Sequence, residues 1–495
     1  MSSILTNNGA AVALNTLKSI NSELSKVQDT ISTGKSVNSA KDNASVWAIS
    51  KVMEADVQGF EGISDSLSLA DSTVSVASSA AETVSDLLTQ IKTKIVSAQE
   101  ENVDREKIQG DIDALRDQIH SVTGAAQFNG LNLIEGTDDV NVLSSLDRSS
   151  DGSISVSTIA IARQDLTTSA GVYGGGGTAL DTNATKSATT VDSAGNSANM
   201  TIATDSDMSD NTITLSIGGT NLSFAAGDLS GDQDAAALHI TSAINALGLE
   251  GITAAVNGTN ANQIDITSTR AFEDVSLAAT GATLSDTTIA ERAETIDFST
   301  SAVVNEGDGY KVTVGGASYA YVAGKGETME DVARGLKMAI DGAEIEGIST
   351  SVVQDETTGQ WTLKVDNDGS GSSSLALNVV GEDGGTASGG LFGLDSIDVS
   401  SASGAAAALE NIDTLISSAV DASSAFGSVQ GRLETQSEFV SNLTSALKAG
   451  IGSLVDADME ETSARLQALQ VQQQLGIQSL SMANQAPQSI LSLFQ

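Results

Sequence analysis

The side chains that could carry chemistry are few and badly spaced for it. The chain has two histidines, His120 and His239, and no cysteine. A zinc protease needs two histidines at helical spacing plus a glutamate base; these two lie far apart, each in an amphipathic helical stretch. Without cysteine there is no disulfide, no thiolate metal site and no Cys–His nucleophile. A Ser–His–Asp triad would have to borrow one of the same histidines, and no Gly-X-Ser-X-Gly turn lies near either. Residues 171–177 are nearly all glycine. Such a loop can cradle a phosphate, but the preceding strand, following helix and lysine of a phosphate loop are missing, so a linker is expected. The acidic runs at 228–234 and Glu382-Asp383 lack the alternation and closing glutamate of an EF-hand and read as solvated faces. The expectation is no enzyme, no metal and no cofactor.

With no reaction to position, the pattern of the remaining residues decides the class. The 495 residues carry 23 basic and 64 acidic side chains, a formal charge of −41. That charge excludes nucleic acid as a general partner and disfavours an anionic membrane surface. No stretch approaches the ~20 apolar residues of a membrane span, and Met1-Ser2-Ser3-Ile4-Leu5 does not open a signal peptide of the usual kind. Dense like charge makes any self-association salt-dependent.

The dominant signal is a strict alternation of three and four residues: Val46, Ile49, Met53, Asp56, Phe60, Ile63, Leu67, Ala70, Val74, Ala77, Ala81, Val84, Leu88, Ile91, Ile95, Ala98. Only Asp56 is not apolar. A seven-residue repeat predicts a helix about 80 Å long at 1.5 Å per residue, wound on a partner along a narrow seam. The partner is expected near the other end of the chain: Ala408, Ile412, Leu415, Ala419, Ala422, Phe426, Val429, Leu433, Gln436, Val440, Leu443 and Leu447, broken only by Gln436. Outside these seams lie two more. Ala10, Ala13, Leu17, Ile20, Leu24, Val27 and Ile31 precede a helix stop at Gly34. Leu466, Leu469, Gly476, Leu480, Ala483, Pro487, Ile490 and Phe494 follow a break expected at Gly450-Ile451-Gly452, with Val471 and Leu475 widening the stripe. Ser39 or Asp42 is the expected cap of the long helix.

After the long helix comes a shorter one, about 104–122, then a hairpin with a tight turn at Asp151-Gly152 between Val140, Val142 and Ile154, Val156. From about 205 to 370 a unit repeats. The Gly-Gly pairs at 218–219 and 315–316 are 97 residues apart, and the Gly-Ile pairs at 251–252 and 347–348 are 96 apart. Each copy reads β-β-α-β-β, at about 211–270 and 309–367. Residues 381–390 form a second glycine-rich boundary, expected to be flexible. The fold class is mainly α, a coiled-coil rod formed by both termini, with inserted α+β/β outer domains.

Both ends resemble bacterial flagellin, the filament subunit of the flagellum. The likeness runs through Asn38-Ser39-Ala40-Lys41-Asp42-Asn43-Ala44 and Gln127-Phe128-Asn129-Gly130. At the other end it runs through residues 471–480 (Val471-Gln472-Gln473-Gln474-Leu475-Gly476-Ile477-Gln478-Ser479-Leu480) and Ala483-Asn484-Gln485-Ala486-Pro487-Gln488. The matching regions span about 1–165 and 391–495; the middle resembles modules inserted in some flagellins and hook-associated proteins. The resemblance implies inner-tube helices at 1–43 and 451–495, a rod with hairpin at 44–170 and 391–450, and a surface-exposed insert at 171–390. It implies self-assembly through Leu17, Ile20, Leu24, Val27, Ile31, Leu466, Leu469, Leu475, Leu480 and Phe494. The rod seam would hold Ile63, Leu67, Val74, Val84, Leu88, Ile91, Ile412, Leu415, Phe426, Val429, Leu433 and Leu443. The expected partners are copies of the chain itself, an export chaperone, the filament cap and hook-junction proteins. The expected location is the extracellular filament, reached without a cleaved signal peptide.

One departure stands out. Many flagellins present an arginine and a leucine on the long helix to an animal innate receptor; here Gln90 and Lys94 occupy those places, as in flagellins resembling those of alphaproteobacteria, so evasion is expected. Three other readings compete: the first is a hook–filament junction or other hook-associated protein, against which the run Gln485-Ala486-Pro487-Gln488 speaks, and the second a secreted adhesin, whose usual calcium repeats and anchor are not seen. A protease displayed in the insert is a third, with little for it.

Overall fold

The computed structural model describes residues 7–149, 153–369 and 374–492, with 486–492 as backbone alone. In chain order the helices are α1 (Asn8–Thr33), α2 (Ala44–Ala98), α3 (Arg105–Ala125), α4 (Gln233–Ala246), α5 (Met329–Asp341), α6 (Ala402–Val455) and α7 (Met459–Ser492). Strands β1 (Gln127–Phe128) and β2 (Leu131–Asn132) follow α3, and β3 (Val140–Arg148) pairs with β4 (Ile154–Ile161). The chain is helical at both ends and β-rich at its centre. It divides into two compact units, residues 1–72, 140–161 and 429–495 in one, 73–139 and 162–428 in the other.

Local chemistry sets the helix ends. α1 stops at Gly34, which takes the left-handed φ of 69° and donates its N–H to Thr30 O, a conformation glycine adopts without a Cβ clash. α2 is capped by Asn43, whose Oδ1 accepts the Val46 N–H at 3.2 Å. Neither Ser39 nor Asp42 does this. A capping side chain must directly precede the first turn to reach its N–H groups, and Asp42 instead turns back to accept from the N–H groups of Asn38 and Ser39 and from the Ser39 hydroxyl. Those Ser39 hydrogen bonds hold the Asp42 carboxyl below its ordinary range. The break expected at Gly450-Ile451-Gly452 is also absent, since α6 runs through to Val455. A helical glycine costs only about 1 kcal/mol, which packing overrides. The helix breaks at 456–458, where Lys35 and Asp456 form a β-bridge and Asp458 Oδ1 caps α7 through the Glu460 and Glu461 N–H groups at 2.9 and 3.1 Å. Asp151-Gly152 lie outside the described residues; the β3–β4 pairing reaches Arg148 opposite Ile154.

The insert holds two modules of one topology. Two short strands come first, β5 (Ala184–Lys186) and β6 (Thr190–Val191). The first module then adds β7 (Asn196–Ile202), β8 (Ile213–Ile217), β9 (Thr220–Phe224), α4, β10 (Ile252–Val256), β11 (Gln263–Ser268), β12 (Val275–Thr280), β13 (Ala282–Leu284) and β14 (Thr288–Ile289). The second adds β15 (Glu294–Phe298), β16 (Gly309–Val314), β17 (Ala317–Val322), α5, β18 (Ile348–Gln354), β19 (Trp361–Asn367) and β20 (Leu375–Glu382). Sheet orders are β10-β11-β7-β13 and β14-β12-β8-β9 in the first, β18-β19-β15-β5 and β17-β16-β20-β6 in the second. Four-stranded sheets therefore reach outside the 211–270 and 309–367 stretches. The first module closes with β13 and β14, which follow it. The second closes with β5 and β6, which precede the first. The first module is thus nested inside the second. Both repeated Gly-Gly pairs have positive φ at each residue (54° and 85°, 62° and 100°), as a two-residue turn whose twist matches its strands requires.

The two glycine-rich crossings are not free linkers. Val172 bridges to Thr386. The Gly176 and Gly177 N–H groups both donate to Glu382 Oε1, and Thr178 N–H donates to Asp383 Oδ1 at 2.6 Å. A Cβ at Gly174 or Gly177 would overlap the Asp383 carbonyl oxygen, and one at Gly389 the Thr167 carbonyl oxygen. Glycine here buys close backbone approach, and the loop's N–H groups cradle the chain's own carboxylates instead of a phosphate.

Buried ion pairs fix the modules in place. Arg292, between β14 and β15, donates to both Asp366 oxygens at 2.8 and 2.6 Å, with side chains 9% and 1% exposed. Lys337 on α5 is buried and reaches Asp341 at 2.7 Å and Asn411 of α6 at 3.0 Å. Tyr321 donates to Glu327, and burial pushes the Tyr321 phenol well above its ordinary range.

Candidate functional site

The candidate site is a set of apolar stripes, so the question is which stripe residues one copy covers. In the first unit α1 lies along α7. Asn7 Nδ2 donates to the Ala483 carbonyl at 2.8 Å and Gln473 Nε2 to Asn21 Oδ1 at 2.7 Å. Gly476 leaves room for Leu17, whose Cδ1 a Cβ there would approach to 3.2 Å. Yet among the described residues of this pair only Val27 and Leu469 are buried. Leu17, Ile20, Leu24, Ile31, Leu466 and Leu480 are half-buried. Leu475 is 57% exposed, and Val12, Leu14, Val471, Ile477 and Met482 of the same two helices are exposed as well. Phe494 lies outside the described residues.

The longer stripes behave differently. In the first unit Ile63, Leu67 and Leu433 are buried, while Val429 and Leu443 are half-buried. Lys448 of α6 reaches Glu61 of α2 at 2.7 Å. In the second unit Val74, Val84, Leu88, Ile91, Ile412, Leu415 and Phe426 are fully buried. There Lys92 pairs with Asp413 at 2.5 Å and Gln99 Nε2 donates to the Ala405 carbonyl at 2.6 Å. Residue numbers rise on α2 as they fall on α6, so within each unit the two helices run antiparallel. Val57, Ala80 and Leu87 are buried as well, which widens the covered face beyond one seam. α3 folds back on the end of α2: Arg105 donates to the Ala98 and Glu100 carbonyls at 2.9 and 3.1 Å, filling the acceptors a helix end leaves open.

The two polar interruptions of the stripes have partners that the period could not reveal. Asp56 accepts from Arg148 at 2.6 Å, and Gln436 donates to the Ser144 carbonyl at 2.8 Å, both on the β3–β4 hairpin. Their one sequence signal was that each broke an otherwise unbroken apolar pattern.

Gln90 is exposed, and Lys94 is held by Asp111 of α3 at 2.5 Å. The histidines are not brought together. His120 Nε2 lies 2.9 Å from Asp395 Oδ1, and the His239 ring packs edge-on against Phe224. Among the described residues no group of three or more metal-binding side chains is placed to hold an ion, and no helix is long and apolar enough to cross a membrane.

Residues 4–139 match the model of the bacterial flagellin N-terminal helical region, and residues 409–494 that of the C-terminal helical region. The chain is 31% identical to flagellin D of Rhizobium meliloti strain 1021 and 29% identical to flagellin A of Rhizobium meliloti, in each case over 100% of both chains. Among solved structures it is similar to flagellar hook associated protein-3 of Legionella pneumophila, at 11% identity and a TM-score of 0.27, covering 85% of this chain and 98% of that one.

Proposed function

We infer the assembly mechanism from one premise: this chain belongs to the bacterial flagellins, of alphaproteobacterial type, and is a structural subunit that polymerises into the extracellular flagellar filament used for swimming. The observation that carries the mechanism is the contrast between stripes. The long helices bury theirs from Phe60 to Ala98 and from Ala408 to Phe426 within one copy, whereas α1 and α7 leave most of theirs half-covered. An apolar pair with so little buried gains little in isolation, and each large side chain that a neighbour covers adds about 1.5–3 kcal/mol. Residues 1–43 and 451–495 therefore form the inner tube. Residues 44–170 and 391–450 form a coiled-coil rod with its hairpin, and 171–390 project from the surface. Like copies joined through non-closing surfaces generate a helical filament. The free chain, with its ends unsatisfied, is carried by an export chaperone, leaves through the flagellar export apparatus and folds beneath the filament cap on a base of hook-junction proteins. The work is structural, with no catalytic role; the separate surroundings of His120 and His239 support that.

Amide exchange tests the mechanism. In the free chain, α1 and α7 should exchange at least about tenfold faster than residues 60–98, and become protected in filaments. Ends already rigid in the free chain, with no growth from seeds, would sink it.

The Gln90 and Lys94 positions support receptor evasion. Gln90 offers a neutral amide where the recognised pattern offers a planar guanidinium, and Lys94 puts an ammonium, committed to Asp111, where that pattern offers an apolar leucine. A cell reporter assay should give weak signalling; potency equal to an enteric-type flagellin contradicts this.

A further inference from the structure

We propose that this chain ties its insert to α6 by a covalent bond of its own making: an isopeptide link from Lys337 Nζ of α5 to the side-chain carbonyl carbon of Asn411, formed once with loss of ammonia. The reacting groups are already assembled. Lys337 Nζ donates to Asn411 Oδ1 at 3.0 Å and to Asp341 Oδ2 at 2.7 Å. Asn411 Nδ2 donates to that same Asp341 oxygen at 3.1 Å. One carboxylate oxygen therefore touches both the nitrogen that attacks and the nitrogen that leaves. The Thr350 hydroxyl on β18 donates to the other oxygen, Oδ1, and fixes the carboxylate's direction. All four residues lie in the second unit.

A lysine and an aspartate four apart on a helix ordinarily pair at the surface. Here the pair is turned inward onto an amide of another helix, with Lys337 4% and Asn411 8% exposed. Apolar side chains would pack such a joint as well, since burying an ammonium costs much of what its partner returns. Groups held at contact distance need little further ordering to react, and a dry site keeps water from competing with the amine. Glu410 of α6, 3.3 Å from Lys337, is the further charged group at the lysine, and its side chain is 59% exposed.

The step balances without an oxidant or a co-reactant. The ammonium passes a proton to Asp341, and the freed amine attacks Asn411 Cγ, forming a C–N bond. Asp341 delivers that proton to Nδ2, and the C–Nδ2 bond breaks. The second proton of the new amide nitrogen leaves through Asp341 with the ammonia, as ammonium, so the carboxylate ends as it began. The event is single and self-directed, with no turnover.

Intact-mass and peptide analysis of the full-length wild-type chain tests this. The mass should fall short of the sequence mass by one ammonia. Trypsin should fail to cut after Lys337 and should release one branched peptide joining residues 335–364 to 365–432. Lys337→Arg, whose guanidinium keeps the charge but is no nucleophile, and Asn411→Ala should keep their full sequence masses. Asp341→Asn, refolded from urea, should form the branched peptide at least about a hundredfold more slowly. The wild-type map decides whether the bond forms even where a variant misfolds. Full cleavage after Lys337, or a lost ammonia without the branched peptide, overturns the proposal. A wild-type rate in Asp341→Asn overturns the role of the carboxylate.

Discussion

A chain lacking residues 1–34, or residues 460–495, should stay a soluble monomer and form no filaments. The truncations spare the long stripes: Phe60 to Ala98 at every seam position, and Ala408 to Phe426, are covered within one copy, so the remainder keeps its core. What each removes is one helix of the α1–α7 pair, most of whose apolar stripe one copy leaves half-covered or exposed. Loss of only three large side chains from the intersubunit contact costs about 4.5–9 kcal/mol at 1.5–3 each. A tenfold change takes about 1.4 kcal/mol, so the concentration needed for growth rises by three orders of magnitude or more. Sedimentation and electron microscopy after seeding with wild-type fragments read this directly. Filaments of normal length from either truncation refute it.

The helical half of this fold is legible because one force dominates there. A helix packed on a helix must repeat its apolar residues every three or four positions, so a periodic count finds α1, α2, α6 and α7 and ranks their positions. The errors fall where a single local contact decides. Asn43 displaces Ser39 and Asp42 as cap because only it abuts the first turn. Gly450 and Gly452 stay helical because packing outweighs their cost. The residues 171–177 and 381–390 look like linkers because composition cannot show that glycines serve close approach between two crossing segments. In the insert the repeated core of each module, with its Gly-Gly turns, announces itself. The edge strands β5, β6, β13 and β14 are two or three residues long, too short for alternation to register, so the nesting of one module in the other is visible only in the pairing. The terminal stripe is readable as a stripe, but Leu475, 57% exposed, shows what period cannot tell: whether a stripe residue faces its own chain or outward.

Replacing Arg292 with alanine should cost the modules about 3–5 kcal/mol, the usual penalty for leaving one charge of a buried pair unpaired. Asp366 is 1% exposed and receives both guanidinium hydrogen bonds; water cannot replace them without opening the junction. The same junction carries Lys364–Glu291 at 2.6 Å, and the Arg292 and Ala293 N–H groups donate to the Arg270 and Ala271 carbonyls, so the loss falls where both modules meet. Urea unfolding followed through Trp361, on the strand that carries Asp366, should show the midpoint falling. The double variant Arg292→Met, Asp366→Leu should lose less than either single change, because it removes the charge together with its partner. Seeded growth should remain near wild type in Arg292→Ala, since the pair belongs to the insert and not to the terminal helices. An unchanged midpoint in Arg292→Ala would show that the buried pair does not hold the modules together, and abolished growth would place the insert inside the assembly contact.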